Sequence, residues 1–283
     1  MLSTDKLEKF KTISQVGNGA FGKCFLCERC SDGEQVVLKK IQLCEDAKRE
    51  ACIISQINHE NVVRTFESYI SQRSVYIVME YMSGGTLSEL INKKEKRPLK
   101  DKIVINYTTQ LASALRYIHK DHQIVHRDVK PGNILLDTEH KIVKLCDFGI
   151  ATKLGAGQKL KGKIGAPGTI NYLAPEILEA GEYDFKADIW SLGCVVFEMV
   201  EREKAFPGLQ DLSVCHKICN RIIVFPEDSK LCSLIKGLLE PKQENRPTAE
   251  DVLTLLENSI ILNGIKNSGN CLNFWPISKK TIK

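Results

Sequence analysis

The residues best suited to chemistry are two acids and an amide, Asp128, Asn133 and Asp147. In HRDVKPGN (His126–Asn133), five positions separate Asp128 from Asn133. A carboxylate at Asp128 can accept a hydrogen bond from an attacking hydroxyl, and Lys130 can offset negative charge on a group in transit. Asn133 brings a carbonyl oxygen and Asp147, in DFG (Asp147–Gly149), a carboxylate. Both are hard donors of the kind Mg²⁺ takes. Upstream, GNGAFG (Gly17–Gly22) presents Gly17, Asn18, Gly19 and Gly22, where a backbone without side chains can close over phosphates and aim N–H groups at them. Lys39 ends the strand-like Val36–Lys39 and can neutralise phosphates once something orients it; Glu50 is its natural partner. The chemistry these residues suit is phosphoryl transfer from ATP to a hydroxyl.

Such groups need a frame. Lys11–Val37 reads as strand, glycine turn, strand, a turn at Ser31-Asp32-Gly33, and strand again. Lys48–Ile57 carries Ala51, Ile53, Ile54 and Ile57 at helical spacing. Asn61–Tyr69 and Val75–Glu80 return to strand composition around a turn at Ser71–Ser74. After Ser83-Gly84-Gly85 helices dominate. Lys102–His119 puts Ile103, Tyr107, Leu111, Ala114, Leu115 and Ile118 on one face; Ala187–Val200, Leu209–Arg221, Lys230–Leu239 and Thr248–Ile261 follow. Between them, Ile134–Leu136 and Ile142–Leu145 read as strands joined by a turn at Asp137–His140, which accounts for the gap between Asn133 and Asp147. Strands first and helices later, across a glycine-rich hinge, give an α+β fold with two lobes: an N-terminal antiparallel sheet plus one helix, then a mainly helical C-terminal lobe. The expected domain covers residues 10–260, with the first lobe about 10–80, the hinge about 80–85, and the second lobe about 86–260. Residues 262–283 form a tail without periodicity.

The rival reading of the glycines, a dinucleotide-binding βαβ unit, needs a helix directly after them, whereas Lys23–Cys27 continues as strand. Cys24, Cys27 and Cys30 have a metal-cluster rhythm, but positions three apart on a strand face opposite ways. The chain has 283 residues, with 43% hydrophobic and 27% charged content, ordinary for a globular protein. A net charge of +5 without a dense basic stripe argues against nucleic acid as a partner. The basic runs at Lys93–Arg97 and at Lys159, Lys161 and Lys163 read as solvated faces. No secretory signal opens the chain, and Ile189–Phe197 is far short of the roughly 20 apolar residues that span a bilayer. Eleven cysteines without a signal point to free thiols in a cytoplasmic or nuclear setting. Neither the oligomeric state nor the physiological substrate is legible.

With APE at Ala174–Glu176 the ordered motifs are complete, and residues Phe10–Leu256 resemble the eukaryotic protein kinase catalytic domain. Lys130 resembles the serine/threonine branch. Several words, among them Val75–Tyr81 and Ser191–Met199, are most similar to the NIMA-related kinases. The resemblance implies protein substrates with Ser or Thr targets, and ATP and Mg²⁺ as cofactors. It implies that Asp188 braces the catalytic loop, that Arg246 pairs with Glu176, and that Thr169 bonds Asp128 and Lys130. Adenine would lie between Val37 and Leu135, against the hinge at Glu80–Met82, with Met79 as gatekeeper and Cys24 over the nucleotide. The competing class is a catalytically weak kinase-fold scaffold, but the Lys, the loop Asp and the DFG Asp that scaffolds commonly lose all stand here. A small-molecule kinase is disfavoured by the full Gly168–Glu176 segment.

Three departures stand out. Cys24 replaces the usual Val and Cys146 precedes Asp147, so each is either a small hydrophobe or a thiol whose modification blocks the nucleotide. Thr152 and Thr169 are the only Ser or Thr between Asp147 and Glu176, and Gly165 stands where many kinases carry a phosphorylated residue. The expectation is activity without phosphorylation at that place. Thr86 and Gly132 stand where kinases that prefer an upstream arginine hold acids, so no such requirement is expected.

Overall fold

A computed structural model describes residues 4–19, 22–93, 98–163 and 165–265. Most of the Lys93–Arg97 run and of the tail, and the two central residues of the glycine loop, therefore lie outside the described residues.

The chain opens with β1 (Phe10–Gly19), β2 (Gly22–Arg29) and β3 (Gln35–Gln42). Helix α1 (Glu45–Ile54) follows, then β4 (Thr65–Ile70) and β5 (Ser74–Glu80). The five strands form one antiparallel sheet in the order β1-β2-β3-β5-β4. The α1 helix starts three residues before the expected Lys48, because Cys44 Sγ accepts from the Ala47 amide and Glu45 and Asp46 suit the N-terminal dipole. It stops at Ile54, short of Ile57. Its buried Ala47, Glu50, Ala51, Ile53 and Ile54 face the sheet. The strand expected over Asn61–Tyr69 begins only at Thr65. Residues 61–63 are held instead by single backbone bonds to a later strand: Val63 N donates to Leu145 O, and Leu145 N to Asn61 O.

The second region begins with α2 (Leu87–Ile91), absent from the sequence reading although Thr86 and Glu89 form a reciprocal capping box. Helix α3 (Asp101–Arg116) runs into a π-type turn at Tyr117–Asp121. Its buried face is Val104, Tyr107, Thr108, Leu111, Ala112, Ala114 and Leu115. Ile103 is 36% exposed, contrary to expectation, because it stands just outside the stripe that begins at Val104. Short pairs then shape the loops: β6 (Ile124–Val125), β7 (Ile134–Leu136), β8 (Val143–Leu145), β9 (Thr152–Lys153) and β10 (Leu160–Lys161). After α4 (Pro175–Leu178) and β11 (Glu182–Tyr183) come α5 (Lys186–Glu201), α6 (Asp211–Cys219), α7 (Cys232–Leu238) and α8 (Ala249–Ile265). Pairing joins β6 to β9, β7 to β8, and β10 to β11.

The α6 helix is shorter than the expected Leu209–Arg221. Leu209 lies in solvent and Arg221 turns left-handed at φ 51°. The α5 helix is buried all round from Ala187 to Met199, so it is the central post of the helical region. One core runs without interruption from Ile41 and α1 through α3 and α5 to α8. A second, smaller cluster of Phe10, Cys27, Val36, Leu38, Tyr69 and Val78 covers the sheet's other face. The result is the α+β, two-lobed arrangement that the order of elements implied. Among the described residues, no helix is long and apolar enough to cross a membrane.

Candidate active site

Between the sheet and the helical region lies a cavity of about 440 Å³. Its sheet side is Gly17, Asn18, Gly22, Cys24, Val37 and Lys39. Met79, Glu80 and Met82 close one end, and Leu135, Asn133 and Asp147 form the opposite side. Gly19 stands at the tip of the β1–β2 ribbon, paired with Gly22. Gly22 has φ +123°, and a Cβ there would come within 2.5 Å of Lys40 O, so only glycine lets the ribbon lie this close to β3. The Glu80 carboxylate takes two bonds from Lys144 Nζ, at 2.7 and 2.9 Å, and one from the Arg64 amide at 2.6 Å. Glu80 therefore offers its backbone, not its charge, to anything in the cavity.

Lys39, on β3, and Glu50, on α1, meet at 2.5 Å, and Lys39 Nζ also donates to Asp147 Oδ1 at 2.8 Å. Burial works against the lysine's charge, yet the carboxylates of Asp147 and Glu50 outweigh it and hold the pKa above the ordinary lysine value. The ammonium is thus fixed at the junction of sheet, helix and DFG strand.

The loop from His126 to Asn133 is built from inside the core. Asp188, at the start of α5 and wholly buried, accepts from the His126 amide, the Arg127 amide and His119 Nε2, each at 2.8 Å. Burial opposes its charge, but these donors hold its pKa below the usual carboxylate range. They also hold Arg127 in the left-handed region at φ 68°; Asp147 lies there too, at φ 64°. Each such non-glycine residue costs about 1–3 kcal/mol, which the surrounding bonds must offset. His126 is buried with its pKa pushed down, so the ring is neutral: Nε2 donates to Cys146 O at 3.1 Å and Nδ1 accepts from the Asp128 amide at 3.3 Å. Phe148, 1% exposed, packs edge-on against that ring.

Four groups converge on Asp128. Oδ1 accepts from Thr169 N at 3.2 Å and Thr169 Oγ1 at 3.0 Å, while Oδ2 meets Lys130 Nζ at 2.7 Å and Asn133 Nδ2 at 2.8 Å. Lys130 Nζ in turn donates to Thr169 Oγ1 at 2.7 Å. The amide nitrogen of Asn133 is spent on Asp128, which leaves its carbonyl oxygen as the group able to coordinate a cation. Farther out, Arg246 is buried and donates to both oxygens of Glu176, at 2.9 and 3.1 Å.

Every described residue singled out for chemistry therefore lies at this cavity or in the network beside it. Cys27 is buried and Cys30 exposed, Cys24 lies at the cavity, and among the described residues no three or more of His, Cys, Asp or Glu cluster as a metal site. Burial pushes the Cys24 and Cys146 thiols up, favouring the small-hydrophobe reading. Sequence reasoning missed the structural part of His126, the His119–Asp188 bond, the Glu80–Lys144 pair, and the bond from Tyr172 OH to the buried Glu198 at 2.6 Å. Apart from the His126–Asp128 bond, no local signal marks these contacts, since their partners stand 20 to 69 positions apart.

A β-rich lobe, a helical lobe and a lysine, two acids and an asparagine converging between them define a protein kinase. The protein kinase domain family matches residues 10–255. The chain is 35% identical over 280 residues to the serine/threonine-protein kinase nekl-2 of Caenorhabditis elegans, covering 90% of this chain and 75% of the worm protein. It is 35% identical over 267 residues to the serine/threonine-protein kinase Nek5 of Homo sapiens, and 33% over 257 residues to Nek8 of Danio rerio. Those matches cover 90% and 87% of this chain but 37% and 36% of the relatives. The chain belongs to the protein kinase domain family and, within it, to the Nek branch of serine/threonine kinases.

Proposed function

We propose that this chain transfers the γ-phosphoryl group of Mg·ATP to serine or threonine hydroxyls of proteins, and that its own residues divide the work as follows. Asp128 accepts the hydroxyl proton's hydrogen bond and aims the oxygen. Lys130 and Thr169 fix that carboxylate and place a positive charge beside the path of transfer. Lys39, held by Glu50, meets the nucleotide phosphates, and Gly17, Asn18, Gly19 and Gly22 cover them. Adenine packs between Val37 and Leu135, near Met79 and beneath Cys24, against the backbone of Glu80–Met82. Asn133 and Asp147 suit Mg²⁺ because both present hard oxygens and Asp147 is already a cation's partner through Lys39. When bound, Mg²⁺ supplies charge neutralisation along the phosphates.

The observation that carries this reading is the Asp128 network, which orders one acceptor carboxylate through Thr169, Lys130 and Asn133 beside a cavity of about 440 Å³. We place the protein in the cytoplasm or nucleus on its free thiols, and expect substrates without an obligatory upstream arginine because Thr86 and Gly132 carry no charge. The test is ³²P transfer from Mg·ATP to myelin basic protein, with Asp147→Asn as control. Transfer that vanishes in the control supports the reading; equal counts from both proteins reject it.

A further inference from the structure

The described part of the segment from Asp147 to Glu176 is pinned at several points without help from a charged modification. Its start pairs in β9 with β6, and Leu154 N donates to Gln123 O at 2.7 Å. Its middle pairs as β10 with β11, in the register Leu160↔Tyr183 and Lys161↔Glu182. Gly162 continues that ribbon: its amide donates to Gly181 O at 2.8 Å, and a Cβ would come within 2.5 Å of Ile177 O. Gln243 Nε2 fastens the far strand through Glu182 O at 2.8 Å.

Two of the segment's three hydroxyls are already committed. Thr169 Oγ1 bonds Asp128 and Tyr172 OH donates to buried Glu198, while the backbone of Thr152 is paired in β9. What the ribbon touches is Arg127, the residue directly before Asp128. Arg127 Nε donates to Ile150 O at 2.6 Å, one residue past the DFG motif, and Nη1 reaches Tyr183 OH at 3.4 Å. Among the described residues Arg127 has no carboxylate partner within ion-pair distance, so its guanidinium is oriented by neutral oxygens alone. Tyr183 is 3% exposed, with its ring in the main core, so its hydroxyl is a fixed post and not a mobile arm.

We propose that Tyr183 is a positioning residue for phosphoryl transfer: through Arg127 it ties the catalytic loop and the residue after DFG to the β10–β11 ribbon, and so holds Asp128 in place with no phosphate on the segment. This rests on the proposed kinase activity. Its physical content is that a side chain held at both ends transmits the position of a rigid ribbon to the residue beside it. The bond to Tyr183 is long, so the expected effect is moderate.

The test uses the phosphatase-treated full chain and four proteins: wild type, Tyr183→Phe, Arg127→Met, and the double variant. Phenylalanine keeps the buried ring and removes only the hydroxyl. We expect Tyr183→Phe to lower kcat roughly three- to tenfold with KM for ATP and Tm unchanged, and to add nothing in the Arg127→Met background. Full activity in Tyr183→Phe, additive losses in the double variant, or a loss confined to KM overturns the inference while leaving the kinase reading intact. Amide exchange in the same wild-type sample gives a readout free of catalysis. Slow exchange at Gly162 is expected, and fast exchange there overturns the inference whatever the activity.

Discussion

Replacing Asp188 by asparagine tests whether the catalytic loop really hangs from the core. The carboxylate serves three donors: Oδ1 takes the Arg127 amide, and Oδ2 takes the His126 amide and His119 Nε2. An asparagine has one acceptor oxygen, so its NH₂ must face one side of this set. His119 can switch tautomer to accept from it, but a backbone N–H cannot. One charge-assisted bond, worth about 1.5–3 kcal/mol, is lost, and a buried amide is left unpaired at about 1–3 kcal/mol. Relaxation brings the expected loss to about 3 kcal/mol, a large part of the roughly 5–15 kcal/mol that holds a native protein. At about 2 °C per kcal/mol for a chain of this size, Tm falls by about 6 °C. Asp128 is two residues from one freed amide and one from the other, and a displacement on the order of 1 Å can cost about 100-fold in rate. Calorimetry and steady-state phosphoryl transfer should therefore both respond, with kcat falling far more than KM for ATP rises. His119→Asn supplies the contrast: it leaves the carboxylate and both backbone donors, and should keep kcat within about threefold. An Asp188→Asn protein with wild-type Tm, or one whose kcat matches that of His119→Asn, would refute the reasoning.

Three further outcomes follow from the same geometry. Glu50→Gln leaves Lys39 with Asp147 as its only carboxylate, so kcat/KM should fall by at least tenfold; a loss under twofold in a folded protein would show that the Lys39–Glu50 contact does not orient the ammonium. The folded pKa of His126 lies below the ordinary value of about 6.5, so its unfolded ring takes up a proton that the folded ring refuses. The stability of wild type relative to His126→Gln should then shrink as pH falls from about 6.5, as read by urea midpoints; a gap that widens towards pH 5 is the opposite sign. With its thiol pushed up by burial, Cys146 should be alkylated by iodoacetamide well after exposed Cys30, Cys44 and Cys52, and mass spectrometry that finds it among the first labelled would contradict that environment.

What could be read from the chain and what could not differ in sequence range. The glycine turn, the HRD-type loop and DFG are short words whose residues act where they stand, so their placement at one cavity follows once the lobes fold. Lys39 and Glu50 could be paired because they are 11 positions apart, on adjacent elements. The braces at Asp188 and Arg246 came only through family resemblance, since nothing near a buried aspartate names the amides it will hold. Helix edges were misjudged where side-chain bonds outweigh periodicity: Cys44 opens α1 early, and the Thr86–Glu89 box starts a helix too short to show a period. Ile103 was misplaced because an apolar residue at a stripe's margin fits the pattern equally well inside or outside it. The extended run at Asn61–Val63 has strand composition, but its backbone pairs across to Leu145 and not within the sheet. The neutral His126 and the Glu80–Lys144 pair are properties of the assembled site and have no spelling of their own.

The buried α5 post has a consequence for how this gene can vary. From Ala187 to Met199 its residues face neither nucleotide nor solvent, yet Asp188 holds the loop that carries Asp128, Ser191 Oγ donates to Tyr172 O at 2.7 Å, and Glu198 accepts from Tyr172 OH. Selection for enzymatic output would therefore police a helix at the greatest depth of the molecule as strictly as the mouth of the cleft. A saturation library scored for survival would map two separate bands of intolerance, one lining the cavity and one threading the interior. Alleles from the second band would look like active-site lesions without touching the substrate.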